Sequence, residues 1–115
     1  MNRSPLAPKR FPDLPKVSGI KLATAASGAR YKGRDDLLLI TLAPNSNVAG
    51  VFTKSDTAAA PVCWSQTIAK TGKAAAIITN AGNANAFNGN LGNKAVHDPV
   101  NSLAAILKCD VNAIM

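Results

Sequence analysis

Leu37-Leu38-Leu39-Ile40-Thr41-Leu42, preceded by Arg34-Asp35-Asp36 and followed by Ala43-Pro44-Asn45-Ser46-Asn47, is the stretch that decides how this 115-residue chain is read. Five of its six residues are large and aliphatic, with no polar alternation, which is the pattern of a short strand buried on both faces. The acid pair opens it, and Pro44-Asn45-Ser46-Asn47 closes it with turn chemistry. Val48-Ala49-Gly50-Val51-Phe52-Thr53 then predicts a return strand, giving an antiparallel hairpin Leu37–Leu42/Val48–Thr53.

Upstream of that hairpin, Gly19 to Ala26 begins with a strand's alternation at Ile20-Lys21-Leu22, and Ser27 to Arg34 reads as a turn or irregular crossing around Gly28 and Gly33. Met1 to Lys16 carries Pro5, Pro8, Pro12 and Pro15 and reads as an extended, polyproline-like arm. Downstream, Asp56-Thr57 stands before an alanine run, Pro61 suits a first helical position, and Thr71-Gly72 suits a stop. These predict a helix over Val62–Lys70. Lys73–Thr79 fits helix or strand by propensity; its β-branched end and the Gly-Asn cluster after it favour a strand over Ala74–Thr79. Val96, Val100, Leu103 and Leu107 recur at helical spacing. Pro99 inside a helix would cost about 3 kcal/mol, but little directly after an Asp98 cap, so the secure helix is predicted over Pro99–Lys108. Gly92–His97 is left as a turn or a kinked preface. The sequence therefore predicts an α/β fold of the α+β type, with helices layered on a largely antiparallel sheet. It divides into a proline-rich basic arm (1–18) and one domain (19–115). Leu38, Ile40, Val51, Ile77, Leu103 and Leu107 are the expected core.

Composition narrows the function. A chain of 11.8 kDa allows one thin core. Of its apolar residues 21 are alanine, which buries little area, and five are aromatic, too few for a base-stacking surface. The alanine-heavy core predicts uncovered apolar faces and association. The net charge is +7. Eight of the 13 basic residues fall in positions 1–36, dispersed among prolines that forbid a basic helical stripe. With no recognised nucleic-acid motif, the charge reads as a solvated arm that can attract acidic metabolites, and no nucleic-acid partner is expected. No stretch is apolar enough to span or engage a membrane, and the first 20 residues lack a signal-peptide core; a cytoplasmic location follows. Cys63 and Cys109 have no paired spacing and read as buried free thiols.

No complete catalytic machine is visible. His97 is the sole histidine and reads as a surface residue near a helix start. Cys63 lies between Val62 and Trp64, an inert setting. Glutamate is absent, and Asp35-Asp36 would point to opposite faces of a strand. No metal, cofactor, catalytic or substrate-binding residue is assigned. The unusual feature is Asn80-Ala81-Gly82-Asn83-Ala84-Asn85-Ala86, in a region holding six of the 11 asparagines. Asn and Gly tolerate left-handed backbone, and Asn side chains bond to nearby backbone. A self-bonded loop after a buried strand is expected, with Asn80, Gly82, Asn83 and Asn85 as site-supporting residues.

This run resembles the Asn-Ser-Gly-Asn-Ala-Asn-Ala motif of the ornithine acetyltransferase family, the bifunctional glutamate N-acetyltransferases of arginine biosynthesis. Arg34-Asp35-Asp36-Leu37-Leu38-Leu39-Ile40, Ala49-Gly50-Val51-Phe52-Thr53, Ala60-Pro61-Val62, Ser4-Pro5-Leu6-Ala7-Pro8 and Gly19-Ile20 resemble further family segments, in order. The resemblance runs from about Ser4 to Met115. Ala81 stands where the family usually has serine, Asn88 where threonine is common, and His97-Asp98-Pro99 interrupts a helix that usually lacks proline.

The resemblance implies the incomplete N-terminal part of a four-layer αββα-like fold. It implies acetyl transfer from N-acetylornithine to glutamate, with acetyl-CoA as an alternative donor, through a threonine freed by self-cleavage whose new α-amine is its base. A Thr-Gly pair stabilising the oxyanion is implied after the strand that begins near Ile114-Met115. None of the chain's threonines lies in the cleavage context. The apolar ending Ile114-Met115 is also unlike a frayed domain terminus. A fragment inactive alone, either a truncated gene product or a piece that works with a complementary C-terminal chain, is the implied reading. The alternative is a non-enzymatic binding module using the basic arm.

Overall fold

In the computed structural model, which describes residues 4–115, the aliphatic run becomes the centre of a three-stranded antiparallel sheet. β1 (Ile20–Ala25), β2 (Leu37–Leu42) and β3 (Ala76–Asn80) lie in that order. Leu22 pairs with Ile40 on one side of β2, and Ile77 pairs with Ile40 on the other. β2 is thus central, with apolar side chains on both faces.

That placement overturns the predicted hairpin. Both edges of β2 are taken by β1 and β3, so Val48–Thr53 cannot pair with it. The predicted turn does form: Ser46 N–H donates to the Ala43 carbonyl at 3.2 Å, and Asn45 adopts φ 65°. It delivers the chain to an isolated Asn47–Lys73 bridge instead of back along β2. The Lys73 ammonium clamps it there, donating to the Asn45 carbonyl at 2.8 Å and to Asn47 Oδ1 at 2.7 Å. Val51, expected in the core, is 99% exposed.

α1 (Ala60–Ala69) begins with Pro61 in its first turn and stops at Thr71-Gly72, where Gly72 adopts φ 71°. α2 runs unbroken from Gly89 to Leu107 with Pro99 inside it, correcting the expected start at Pro99. Proline there forfeits one intrahelical bond, about 3 kcal/mol in an isolated helix. Val96, Val100, Leu103 and Ala104 are buried along one stripe, and a fully buried Val or Leu contributes about 1.5–3 kcal/mol. The stripe outweighs the proline, whose own ring is exposed. His97 consequently sits in mid-helix, not near a helix start.

A short 3₁₀ turn, Val111–Ala113, leads Ile114 into a parallel bridge with Ala76. Ala76 and Ile114, both 0% exposed, form the core with Val96, Val100, Leu103 and Ala104. Leu39, Ile78, Ala60, Trp64 and Val111 pack around it. All three helical elements of the described residues therefore cover one sheet face, and among those residues no regular element remains for the other. That opposite face carries Leu38, Ile40 and Ile77, half-buried, and Leu22, 68% exposed. Of the predicted core Leu103 is buried and Leu38, Ile40, Ile77 and Leu107 half-buried. The thiols are free as read, but Cys63 is exposed on α1 and Cys109 half-buried, because α1 turns Trp64 inward and Cys63 away.

The proline-rich segment has a turn at Ser4–Ala7 and, among the described residues, no strand or helix before Ile20, and residues 8–18 are exposed throughout. Of the arm's basic residues, Arg3 lies outside the described residues.

Candidate functional site

Where β3 gives way to the asparagine loop, a groove of about 490 Å³ opens between the sheet and the helices. Its floor is Leu37 and Ile78 of the sheet; its walls are Trp64 of α1, Val96 and Val100 of α2, and Met115. Ser27, Asn80, Asn83 and Asn85 supply a polar rim. Apolar walls with a few converging polar groups suit a ligand or a polypeptide segment.

The loop is built largely from its own side chains. Asn80 Nδ2 donates to the Asn83 carbonyl at 3.3 Å. Asn85 Nδ2 donates to the Gly92 carbonyl of α2 at 2.7 Å, and Asn88 Nδ2 donates to Asn85 Oδ1 at 2.9 Å. Asn85 is thereby a strut between loop and helix. Gly92 leaves room for it, since a Cβ there would lie 2.9 Å from Asn85 Oδ1. Gly82 adopts φ 89°, and a Cβ there would run into the Tyr31 ring. Of the four loop residues singled out in the sequence, Asn80, Asn83 and Asn85 line the groove, and Gly82 sets the backbone beneath Arg30 and Tyr31.

Asp36 ties the two sides of the rim together. It is 4% exposed, its Oδ1 accepts the Ser27 N–H at 2.6 Å, and its carbonyl accepts the Ala81 N–H at 2.8 Å. The Ser27 side chain and amide hold its carboxyl below the ordinary carboxylate range, against the opposing effect of burial. Oδ2 is buried with no hydrogen-bond partner among the described residues. Asp35 takes a separate role, accepting the Thr24 hydroxyl at the exposed surface. The two carboxylates are not a joint proton-transfer device.

On the far wall, Trp64 Nε1 donates to the Ile114 carbonyl at 2.8 Å, while His97 meets the indole edge-on at 4.8 Å. His97 is held as an aromatic neighbour. Sequence reasoning passed over Ser27, Trp64 and the α2 wall. Trp64, the chain's sole tryptophan, was the available signal, because a buried indole N–H needs an acceptor. Among the described residues no cluster of three or more His, Cys, Asp or Glu forms a metal site, and no helix is long and apolar enough to cross a membrane.

Set beside known proteins, residues 21–115 match the ArgJ family. The arginine biosynthesis bifunctional protein ArgJ of Bradyrhizobium diazoefficiens is 46% identical over 111 residues, covering 96% of this chain and 27% of the relative. That of Agrobacterium fabrum is 45% identical over 111 residues, with the same coverage of 96% and 27%. Among solved structures, the ornithine acetyltransferase of Mycobacterium tuberculosis complexed with ornithine superposes with a TM-score of 0.79 at 34% identity, over 84% of this chain and 53% of that one. The ArgJ of Bacillus halodurans gives a TM-score of 0.76 at 26% identity, over 84% and 51%. The chain spans about a quarter of the length of the curated relatives it matches. The sheet, the asparagine loop and these likenesses agree: the chain belongs to the ArgJ family.

Proposed function

We propose that this chain supplies the N-terminal portion of a cytoplasmic acetyltransferase of arginine biosynthesis, inactive alone and working with a complementary C-terminal portion. The reaction proposed for the assembled enzyme moves acetyl from N-acetylornithine to glutamate, with acetyl-CoA as a further donor. The observation that carries the reading is the match of residues 21–115 to the ArgJ family at about a quarter of its relatives' length. The ornithine bound to the Mycobacterium tuberculosis relative supports an ornithine-like substrate.

The chemistry assigns this chain a supporting part. Acyl transfer through a hydroxyl needs a nucleophile, an adjacent base and donors for the oxyanion, all within hydrogen-bonding reach. The nucleophile proposed is a threonine on the complementary portion. Asn80, Gly82, Asn83 and Asn85 are proposed to support the site by shaping the groove's rim. The arm, residues 1–18, is proposed to be a separate solvated segment, with no part in nucleic-acid or membrane binding.

The test is to incubate the purified chain with N-acetylornithine and glutamate and to measure N-acetylglutamate. No product above a buffer blank is expected. Activity is expected when the remaining portion of the Bradyrhizobium diazoefficiens relative is added as a separate chain. Product from this chain alone overturns the reading, as does continued silence in a confirmed complex.

A further inference from the structure

We propose that Asn88-Gly89 is a site of spontaneous covalent modification, at which the Asn88 amide is lost as ammonia and an aspartate or isoaspartate is left at the junction of the asparagine loop and α2. The modification is independent of the acetyl-transfer reading.

Ring closure of this kind needs an asparagine carboxamide, a following backbone nitrogen free to attack it, and no side chain in the way. Asn88 is the one asparagine of the chain that precedes glycine; Asn80, Asn83 and Asn85 precede alanine, and Asn90 precedes leucine. Asn88 and Gly89 are both exposed, and they border an open cleft of about 360 Å³ between the start of α1 and the start of α2. A Cβ at Gly89 would meet nothing within 4 Å. The Gly89 N–H opens α2 and has no acceptor among the described residues. Gly89 also adopts φ 51°, outside the helical well, so the peptide joining it to Asn88 is not held by the helix ladder. One contact opposes the reaction. Asn88 Nδ2 donates to Asn85 Oδ1 at 2.9 Å. Asn88 has ψ 3°, and closure requires that dihedral to turn until Cγ stands over the Gly89 nitrogen, which the bond to Asn85 resists. A single hydrogen bond delays the step without forbidding it.

In the reaction the Gly89 nitrogen gives up its proton and bonds to Asn88 Cγ. The Cγ–Nδ2 bond breaks, and Nδ2 leaves as ammonia with that proton. Water, the sole co-reactant, then opens the cyclic imide. Attack at Cγ restores the backbone and leaves aspartate; attack at the backbone carbonyl leaves isoaspartate, with the chain running through Cβ and Cγ and one methylene longer. No electron is transferred.

The consequence falls on Asn85. Its Nδ2 donates to the Gly92 carbonyl at 2.7 Å while its Oδ1 accepts from Asn88. The new carboxylate has no donor to offer. Asn85 either keeps Gly92 and turns its oxygen on the carboxylate, or flips to donate to the carboxylate and turns its oxygen on the Gly92 carbonyl. One of its two bonds is lost in each case. Aspartate is as good as asparagine at a helix start, so α2 survives and the loss is confined to the strut. Asn85 and Asn88 both line the groove, so its rim loosens as the modification proceeds.

The test incubates the full chain in heavy-oxygen water at neutral and mildly alkaline pH, maps its peptides by mass spectrometry and measures isoaspartate by enzymatic methylation. Conversion at Asn88 at least tenfold faster than at Asn90 is expected, with heavy oxygen in the product. The rate is expected to rise with pH, because the Gly89 amide must lose its proton. Asn88→Gln, whose longer side chain closes the ring poorly, is expected to abolish the signal. Asn85→Ala removes the restraining bond and is expected to speed conversion about fivefold. The native chain is also compared with the same chain in urea, where that bond is absent whatever the variant does to folding, and slower conversion in the native chain is expected. In the converted chain, hydrogen exchange of the Asn85 side-chain amide is expected to quicken about fivefold. Asn88 converting no faster than Asn90, or a product without heavy oxygen, overturns the modification site. Equal rates in the native and urea-unfolded chain overturn the restraint by Asn85. Unchanged exchange at Asn85 after conversion overturns the loosened rim.

Discussion

Gly82 shows how much of the rim depends on single positions. Its φ of 89° suits glycine, and its α-carbon lies against Arg30 and Tyr31. Gly82→Ala combines backbone strain with a ring clash, and a loss of about 1–3 kcal/mol is expected in urea unfolding. Trp64 is a second such position. Trp64→Phe removes the indole donor and leaves the Ile114 carbonyl without it, on a residue that is 0% exposed. The expected cost is about 1–3 kcal/mol, read as a lower unfolding midpoint. Asp36 makes stability depend on pH in a definite direction. Its folded-state pKa is lowered, so its stabilisation is present above the unfolded value, about 3.9, and is lost as pH falls through the lower folded value. Stability measured downward from about pH 5 should fall for the native chain, and Asp36→Asn should remove that part of the slope.

Among the elements, Pro99 and β2 teach opposite lessons. In α2 the proline is tolerated because the buried stripe of Val96, Val100 and Leu103 holds the helix on both sides of it. Pro99→Ala restores an amide on an exposed face, and a gain of about 1–3 kcal/mol in chemical denaturation is expected. The stripe itself was legible, because period 3.6 is written in consecutive residues. The strand character of β2 was legible for the same kind of reason. Its partners were not. Val48–Thr53 has good strand composition, but pairing is decided by which segments reach an edge, and β1 and β3 occupy both. The clamp of Lys73 on Asn45 and Asn47 joins residues 28 and 26 apart, a distance no local pattern reports. At the site, the asparagine loop announced itself through composition, whereas Ser27 and Trp64 became part of the groove only through tertiary packing.

The whole molecule is a half-covered sheet. Helices pack on one face; the other presents Leu22, Leu38, Ile40 and Ile77 with no layer of regular structure over it among the described residues. β1 is exposed along its full length at the free edge. Uncovered apolar surface beside an open strand edge favours association. The chain is expected to sediment as a concentration-dependent mixture, and a monomer that unfolds cooperatively and independently of dilution would contradict that. The order of assembly follows from one long-range contact. The strands of the sheet are neighbours in sequence order, so a meander can form with modest loop closure. The Trp64–Ile114 bond instead spans 50 residues. It belongs to the late, downhill side of the folding barrier. Ile114→Val should accelerate unfolding in stopped-flow traces and leave the refolding rate nearly unchanged, which makes the Ile114 contact a latch on the lifetime of the native state.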